Sequence, residues 1–277
     1  MPTGPFRGFI SGIYPKEELI MGNVWKSDLY RLAKFRLFYW VMGISVFTGL
    51  LLNLIIRMDV RLGLSVFGSQ TLIKSARDII LLGANYQKLL GFLSAVLISV
   101  FIGQEYLFKT WKLKWLAQNS RTGLYLSKAL LSSLTASGLF LLYEGLVFAS
   151  SGESLSILLK DYGALLISGI ALYAAFGSVI CFLSMLIKNS TASILACLCY
   201  VFFSETLLSA LQTAFRFSET AAALYLSLER HTLYGMTAAI IANPSSITAA
   251  LSTVVNALTI LTLVTAAGML LFRKYEL

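Results

Sequence analysis

Long apolar runs, each bounded by charged or polar residues, dominate the pattern of this 277-residue chain. A bilayer's hydrocarbon layer is spanned by roughly 20 helical residues, which is close to the length of these runs. The spans predicted from this pattern are residues 37–56, 89–104, 129–148, 163–187, 192–211 and 247–272. The second span is the shortest, and a start nearer Leu81 stays open for it. Because the runs lack the alternation of barrel strands, and helices satisfy their own backbone hydrogen bonds in lipid, an all-α membrane protein with six transmembrane helices is predicted.

Composition agrees with this fold class. Apolar residues make up 57% of the chain and charged residues 13%, with a mean hydropathy of +0.79. A soluble domain usually carries about twice that charge density. The net charge of +9 does not indicate a nucleic-acid partner, because the basic residues cluster at the ends of apolar runs and so suit a membrane surface. Residues 1–277 are predicted to form one transmembrane domain.

The distribution of Lys and Arg predicts the orientation. With the N-terminus inside, the inside segments hold 14 basic residues and the outside segments hold 8. This balance predicts a multi-pass protein of the cell membrane with both termini in the cytoplasm. Segment 57–88 is an exception, since it carries five basic residues on the outside. The first span is too long for the apolar core of a signal peptide and is expected to stay in the mature protein.

Within the cytoplasmic N-terminal segment 1–36, the residues before the first span have a helical pattern. Helical spacing relates Trp25, Leu29, Leu32 and Phe35/Arg36, and the basic residues Lys26, Arg31 and Lys34 lie around them. This pattern predicts a short amphipathic helix that lies in the membrane interface. The alternative is a cytoplasmic extension of the first transmembrane helix.

The polar segment between the second and third spans mixes aromatic and basic residues. It begins with Glu105, contains Trp111 and Trp115 among lysines, and turns at residues 119–123 before Lys128. Such a mixture predicts a helix that lies along the cytoplasmic surface. That helix either anchors to lipid or offers its face to a cytoplasmic partner.

This segment resembles the corresponding part of type-2 ATP-binding-cassette (ABC) transporter permeases, which are exporter subunits with six spans and both termini inside. Those permeases typically follow the second span with a glutamate, a Thr-containing basic stretch, Ser-Arg, and a lysine at the start of the third span. The matching positions are Glu105, Thr110, Ser120, Arg121 and Lys128, and Lys109 replaces the usual Gly before the Thr. The amphipathic N-terminal helix is similar to the family's connector helix, and Phe272-Arg273-Lys274 is a common family ending.

The resemblance implies a partnership with two separate ATPase subunits and a second permease copy, identical or related. Segment 105–128 would contain the coupling helix that docks on the ATPase. The implied coupling residues are Glu105, Thr110, Trp111, Trp115, Ser120 and Arg121. ATP and Mg would bind to the ATPase, which agrees with the lack of a G-x-x-x-x-G-K-[ST] loop in this sequence. The chain itself is expected to be no enzyme, to bind no cofactor or metal, and to move an amphipathic peptide, drug or lipid-like substrate outward.

Two carboxylates, Glu144 and Glu205, lie within apolar spans, where a charge costs about 3 kcal/mol at the bilayer centre. They are expected to face the bundle interior, a dimer interface or an aqueous cavity. There they would contact a cationic substrate on its pathway or form a proton-sensitive gate. The alternative is that each lies near the outer end of its span and reaches interfacial water. Asn53 and Asn256 are expected to bond across helices.

Two other functions are considered beside the ABC exporter. An intramembrane enzyme would need clustered carboxylates and histidines at lipid depth, but the single histidine, His231, falls in an external segment. A secondary transporter that works without ATP would show internal repeats and interrupted helices, and the sequence pattern indicates neither. This ATP-independent transporter is the alternative to the exporter.

Overall fold

The computed structural model describes residues 16–58, 62–66, 69–73, 75–111, 114, 121–151, 155–215, 225 and 227–274. Its helices are α1 (Lys16–Ala33), α2 (Arg36–Arg57), α3 (Ala76–Ala84), α4 (Leu89–Leu107), α5 (Arg121–Ser151), α6 (Leu155–Ile187), α7 (Ser190–Phe215), α8 (Leu233–Ala242) and α9 (Ile247–Lys274). Between α2 and α3, strands β1 (Leu62–Val66) and β2 (Ser69–Ile73) pair antiparallel, with Val66 opposite Ser69. The sequence pattern did not indicate this small hairpin.

Within the described residues, six helical stretches are long and apolar enough to cross a membrane. They are Arg36–Arg57, Ala76–Leu107, Arg121–Ser150, Tyr162–Ile187, Ser190–Phe215 and Ile247–Arg273. Each contains one of the six predicted spans, so the prediction of an all-α, multi-pass membrane protein is confirmed. The second stretch is twice the predicted length, because it begins at Ala76 and carries Arg77 and Lys88 within it.

The second span is an interrupted helix, so the expectation of uninterrupted helices is wrong. Helix α3 ends at Ala84, residues 85–88 form a turn, and α4 starts at Leu89. The Asn85 side chain accepts a hydrogen bond from the Gln87 backbone N–H at 3.0 Å, a local bond that competes with helix formation. Across the bundle, Tyr86 and Gln87 donate to Ser204 Oγ on α7 at 3.1 and 2.9 Å. These bonds satisfy the polar side chains that the break brings inside.

Helix α1 is separate from the first span and is not its extension. Phe35, between α1 and α2, has an extended backbone. Helix α1 packs on α5 through a face that contains Asp28 and Leu32, both buried, whereas Leu29 is exposed. The predicted apolar face is therefore wrong in detail, because the side of α1 that meets the bundle includes a carboxylate.

The centre of the bundle is formed by α4, α5 and α6, and α7 and α9 lie at its periphery. Buried aromatic residues fill this centre, and the rings of Phe140 and Tyr173 stack at 4.9 Å between α5 and α6. Asn53 on α2 donates to Ser150 Oγ on α5 at 2.6 Å, which confirms its predicted bond across helices. Asn256 is half-buried on α9, and its cross-helix bond stays a prediction.

Candidate functional site

Five charged side chains meet at the end of the bundle where α4 finishes. They are Asp28, Arg31, Glu105, Lys114 and Lys128, which we call the charged cluster. Helix α1 supplies two of them, α4 and α5 supply one each, and Lys114 comes from the segment that connects the second and third spans. Three cations and two carboxylates thus join three helices to this connecting segment.

Glu105 lies at the centre of the charged cluster and is only 1% exposed. Its Oε1 accepts hydrogen bonds from Arg31, from Lys128 and from Lys114, the last at 2.6 Å. Its Oε2 is buried with no hydrogen-bond partner among the atoms that the structure describes. A buried carboxylate is stable in its charged form only when cations and hydrogen bonds replace water, and the three donors on Oε1 meet that requirement.

Asp28 is the second carboxylate of the charged cluster and is fully buried. It accepts a hydrogen bond from Lys114, pairs with Lys128 at 2.8 Å, and has Ser127 Oγ at 3.5 Å. Burial raises the pKa of the Asp28 carboxyl, but the ammonium groups of Lys128 and Lys114 outweigh burial and hold this pKa below its ordinary value of 3.8. Asp28 is therefore ionised at neutral pH.

Lys114 joins both carboxylates and belongs to the connecting segment. Burial lowers the pKa of the Lys114 ammonium, but Glu105 and Asp28 more than offset this and raise the pKa above its ordinary value of 10.5. Its side chain keeps 19% of its surface exposed, compared with 1% for Lys128. Lys114 thus pairs with the buried carboxylates from the partly exposed connecting segment, whereas Lys128 pairs with them from inside the bundle.

The aromatic ring of Phe101 lies beside two of the three cations of the charged cluster. The Phe101 ring lies 4.2 Å from Arg31 Cζ and 5.0 Å from Lys128 Nζ, measured to the ring centroid. Arg31 also donates to the Phe101 backbone carbonyl. The negative face of an aromatic ring attracts cations, so Phe101 contributes to holding these two side chains in place.

Trp111, an expected docking anchor, lies inside the chain. Its indole is 3% exposed and stacks on Tyr106 at 5.5 Å, while the Phe272 ring of α9 meets it edge-on at 5.4 Å. The expectation that Trp111 offers its face to a partner is therefore wrong in this structure, because two aromatic neighbours cover it. Leu107 and Phe108, just before it, are exposed instead.

Of the other residues predicted to couple to the ATPase, the structure describes Thr110 and Arg121. Thr110 Oγ1 donates to the Glu105 carbonyl at 3.4 Å and so satisfies a backbone group at the end of α4. Arg121 begins α5 and is half-buried. Trp115 and Ser120 lie outside the described residues. The structure therefore brings Glu105, Thr110 and Lys128 together at one end of the bundle.

Lys109 has a left-handed backbone, with φ of 54°. This conformation favours glycine, because a β-carbon crowds the following carbonyl. The position is the one at which the permeases that this segment resembles usually have Gly. The turn after the second span thus has a backbone geometry that glycine adopts most easily.

Glu144 and Glu205 lie in different surroundings. Glu144 on α5 is completely buried, so the alternative that it reaches interfacial water is wrong. Its Oε1 lies so close to Gly83 of α3 that a β-carbon there would collide with it. Glu205 on α7 is half-buried and close to Tyr234. Burial, together with Glu205 and Glu229, raises the pKa of the Tyr234 phenol.

Sequence reasoning did not assign Asp28, Arg31 or Lys114 to the site. One signal was present, since Trp25, Asp28 and Leu32 share a helix face by their spacing of three and four residues. An acidic residue on the apolar face of a basic helix indicates a buried partner. The partners themselves follow from the tertiary fold and not from spacing.

The described residues thus form a bundle of six candidate spans, a charged cluster that includes Lys114 of the connecting segment, and a separate buried carboxylate at Glu144. No family model, no curated protein and no solved structure matches the chain.

Proposed function

We propose that the chain is the membrane-spanning permease subunit of an ATP-driven ABC exporter. Two copies, or one copy and a related chain, would pair with two cytoplasmic ATPase subunits and move an amphipathic peptide, drug or lipid-like substrate outward. Both termini and the connecting segment would then face the cytoplasm. The observation that carries the proposal is the charged cluster, because Lys114 links the connecting segment to both buried carboxylates.

The charge balance of the cluster suits a coupling device. Together the three cations and two carboxylates carry a net charge of +1. If a bound ATPase displaced Lys114, then Arg31 and Lys128 would still balance Asp28 and Glu105. Lys114 can therefore exchange between the cluster and a partner without leaving an unpaired buried charge, which is the costly outcome. An ATPase shifts a permease only through contacts that differ between two states, and Lys114 supplies such a contact.

The docking surface is proposed at the exposed turn that follows α4. Leu107 and Phe108 expose 65% and 67% of their surface, and Lys109 follows them. This turn occupies the position of the coupling helix in the permeases that the segment resembles. An apolar pair beside a lysine suits a cleft with an apolar floor and an acidic rim on the ATPase.

Co-purification from native membranes tests the proposal. Tagged wild-type chain is expected to recover ATPase subunits, and Phe108→Ala is expected to reduce recovery about tenfold, since an interface anchor contributes more than 1 kcal/mol. Met58→Ala is the matched control, because Met58 is 68% exposed and follows α2 at the opposite end of the bundle. The proposal fails if wild-type chain recovers no ATPase, or if both variants lose it equally.

The ATP-independent secondary transporter is the second candidate, and the interrupted second span favours it. Such transporters place discontinuous helices and ion-binding groups near the middle of the membrane. Uptake of a fluorescent hydrophobic drug into inverted vesicles supplied with ATP distinguishes the two candidates. Drug movement stopped by vanadate and unaffected by a protonophore supports the exporter, and the reverse pattern supports the secondary transporter.

A further inference from the structure

Glu144 differs from Asp28 and Glu105 of the charged cluster, because it is buried and the described residues offer it no partner. Its exposure is 0%, and neither carboxyl oxygen has a hydrogen-bond partner in the described part of the chain. No charged side chain among those residues acts on it either. An isolated ionised carboxylate in an apolar interior is too unstable to persist and takes up a proton instead.

The phenol hydroxyls near Glu144 donate their protons to backbone carbonyls and so do not stabilise a negative charge on its carboxyl group. The Tyr173 hydroxyl donates to the Gly83 carbonyl at 2.8 Å, and the Tyr143 hydroxyl donates to the Ile79 carbonyl at 3.5 Å. Both phenol protons are therefore used on the backbone of α3. Gly83 also lies one residue before the end of α3, and the C-terminal end of a helix carries partial negative charge. A carboxylate placed there would be repelled.

The same contacts argue against a metal ion as the occupant. Hard cations need several oxygen ligands around them. Here the Gly83 and Ile79 carbonyls already accept from phenols, and Glu144 Oε1 and the Tyr143 ring both crowd Gly83. A proton needs only the carboxyl oxygen itself.

The ionisable groups on the elements around Glu144 leave this conclusion unchanged. Among the described residues at this end of the bundle they include Tyr143 on α5, Tyr173 on α6, Arg57 on α2, Arg77 and Asp78 on α3, and Tyr86 and Lys88 in the turn before α4. Arg57 donates to the Ser150 carbonyl, six residues further along α5, and Asp78 closes the first turn of α3 at Ser75. The positive groups thus lie away from the Gly83 end of α3, apart from Lys88, which follows the break.

We propose that Glu144 is a proton-binding site closed by the half-helix α3. It holds a proton while α3 packs on it, and it releases the proton when α3 swings away about the turn at residues 85–88 and admits water. Proton binding then favours the closed arrangement, and a rise in pH favours the open one. This site requires no ATPase and so stands apart from the function proposed above.

Infrared difference spectroscopy on the purified full chain in lipid nanodiscs tests the proton. At neutral pH the wild type is expected to show the C=O stretch of a protonated carboxylic acid, shifted in D₂O. Glu144→Gln should lose this band, and Glu205→Gln, the matched control in another span, should retain it. Absence of a band that depends on Glu144 overturns the proposal. So does loss of the band on adding NaCl at constant pH, which would make Na⁺ the occupant.

Labelling of position 84 tests the link to α3. Ala84 is buried at the end of α3, so an Ala84→Cys thiol reacts with a membrane-impermeant maleimide only when the half-helix opens. The exposed Cys199 is first replaced by Ser. The ratio of two labelling rates is measured: that of Ala84→Cys alone, divided by that of Ala84→Cys combined with Glu144→Gln. This ratio is expected to rise with pH. A ratio that stays constant overturns the gate, whatever the infrared result.

Discussion

Glu105 and Glu144 are equally enclosed, at 1% and 0% exposure, yet their surroundings are opposite. Glu105 meets three cations, and Glu144 meets none among the residues that the structure describes. Burial alone therefore does not decide the charge of a carboxyl group in this bundle; the neighbours do. The first glutamate joins α4 to α1 and α5 through its ion pairs with Arg31 and Lys128. The second is neutral, and so it can exchange a proton without breaking an ion pair.

Removal of Lys128 is the strongest test of this contrast. Lys128→Met leaves Asp28 and Glu105 buried with only the two partly exposed cations. We expect a loss of about 3–5 kcal/mol in the free energy of unfolding, the usual result when one partner of a buried pair is removed. Thermal unfolding in a fixed detergent, or the folded fraction on size exclusion, measures it.

Two further variants keep this test informative if Lys128→Met fails to fold. Adding Glu105→Gln to Lys128→Met should recover part of the stability, because the carboxylate that has lost its fully buried cation is replaced by a neutral amide. Glu144→Gln alone should change stability by less than about 1 kcal/mol, since a neutral amide replaces a neutral acid. Equal losses for Lys128→Met and Glu144→Gln would show that the two ends of the bundle do not differ as described.

The pH dependence of stability tests the ion pairs of the charged cluster. Its expected effect is smaller than that of Lys128→Met, because only one group titrates in each pH range. The pKa of Asp28 is lowered in the folded chain, so its stabilisation is present above pH 3.8 and is lost as the pH falls through the folded value. The pKa of Lys114 is raised, so its stabilisation is complete below pH 10.5 and is lost as the pH rises through the folded value. Between these limits the contribution of both groups is constant.

The difference in stability between wild type and Asp28→Asn measures the acid limb. It should be level from about pH 5 to 9 and shrink below pH 4, where the wild-type carboxyl takes up a proton. Serine at position 127 gives a control, since Ser127→Ala removes only a long 3.5 Å contact to Asp28 and adds no titration. A stability difference that grows in acid would contradict the assigned ion pairs.

Sequence reasoning found the six spans and the polar positions at one end of the bundle, because both are local properties of the chain. The length of an apolar run can be read directly from the sequence, and Glu105 and Lys128 lie at the edges of such runs. The pairing of the cluster was not predictable, since Arg31 and Glu105 are 74 residues apart, and Lys114 and Asp28 are 86 apart. The burial of Trp111 depends in the same way on Phe272 of a distant helix.

The interruption of the second span had a local signal that hydropathy hides. Asn85 and Gln87 interrupt an otherwise apolar stretch, and Asn side chains often bond to the backbone two residues later. A hydropathy window averages such residues with their apolar neighbours. The partner that makes the break stable, Ser204 on α7, is set by packing and is invisible to any window.

The smallest expected effect is the difference in stability between Gly and Ala variants in the turn beside the charged cluster. The sign of this difference, more than its size, is the test. In a helix, Gly is less stable than Ala by roughly 0.5–1 kcal/mol. At position 109, where φ is 54°, the order should reverse, because a β-carbon in this conformation costs about 1–2 kcal/mol. Lys109→Gly should therefore be more stable than Lys109→Ala by about 1 kcal/mol, although both remove the same charge. Lys188, also at φ 54° in the turn before α7, provides an independent repeat with the same pair of variants. If Ala were the more stable residue at both positions, these turns would not have the left-handed backbone, and the likeness of the first one to a glycine turn would be lost.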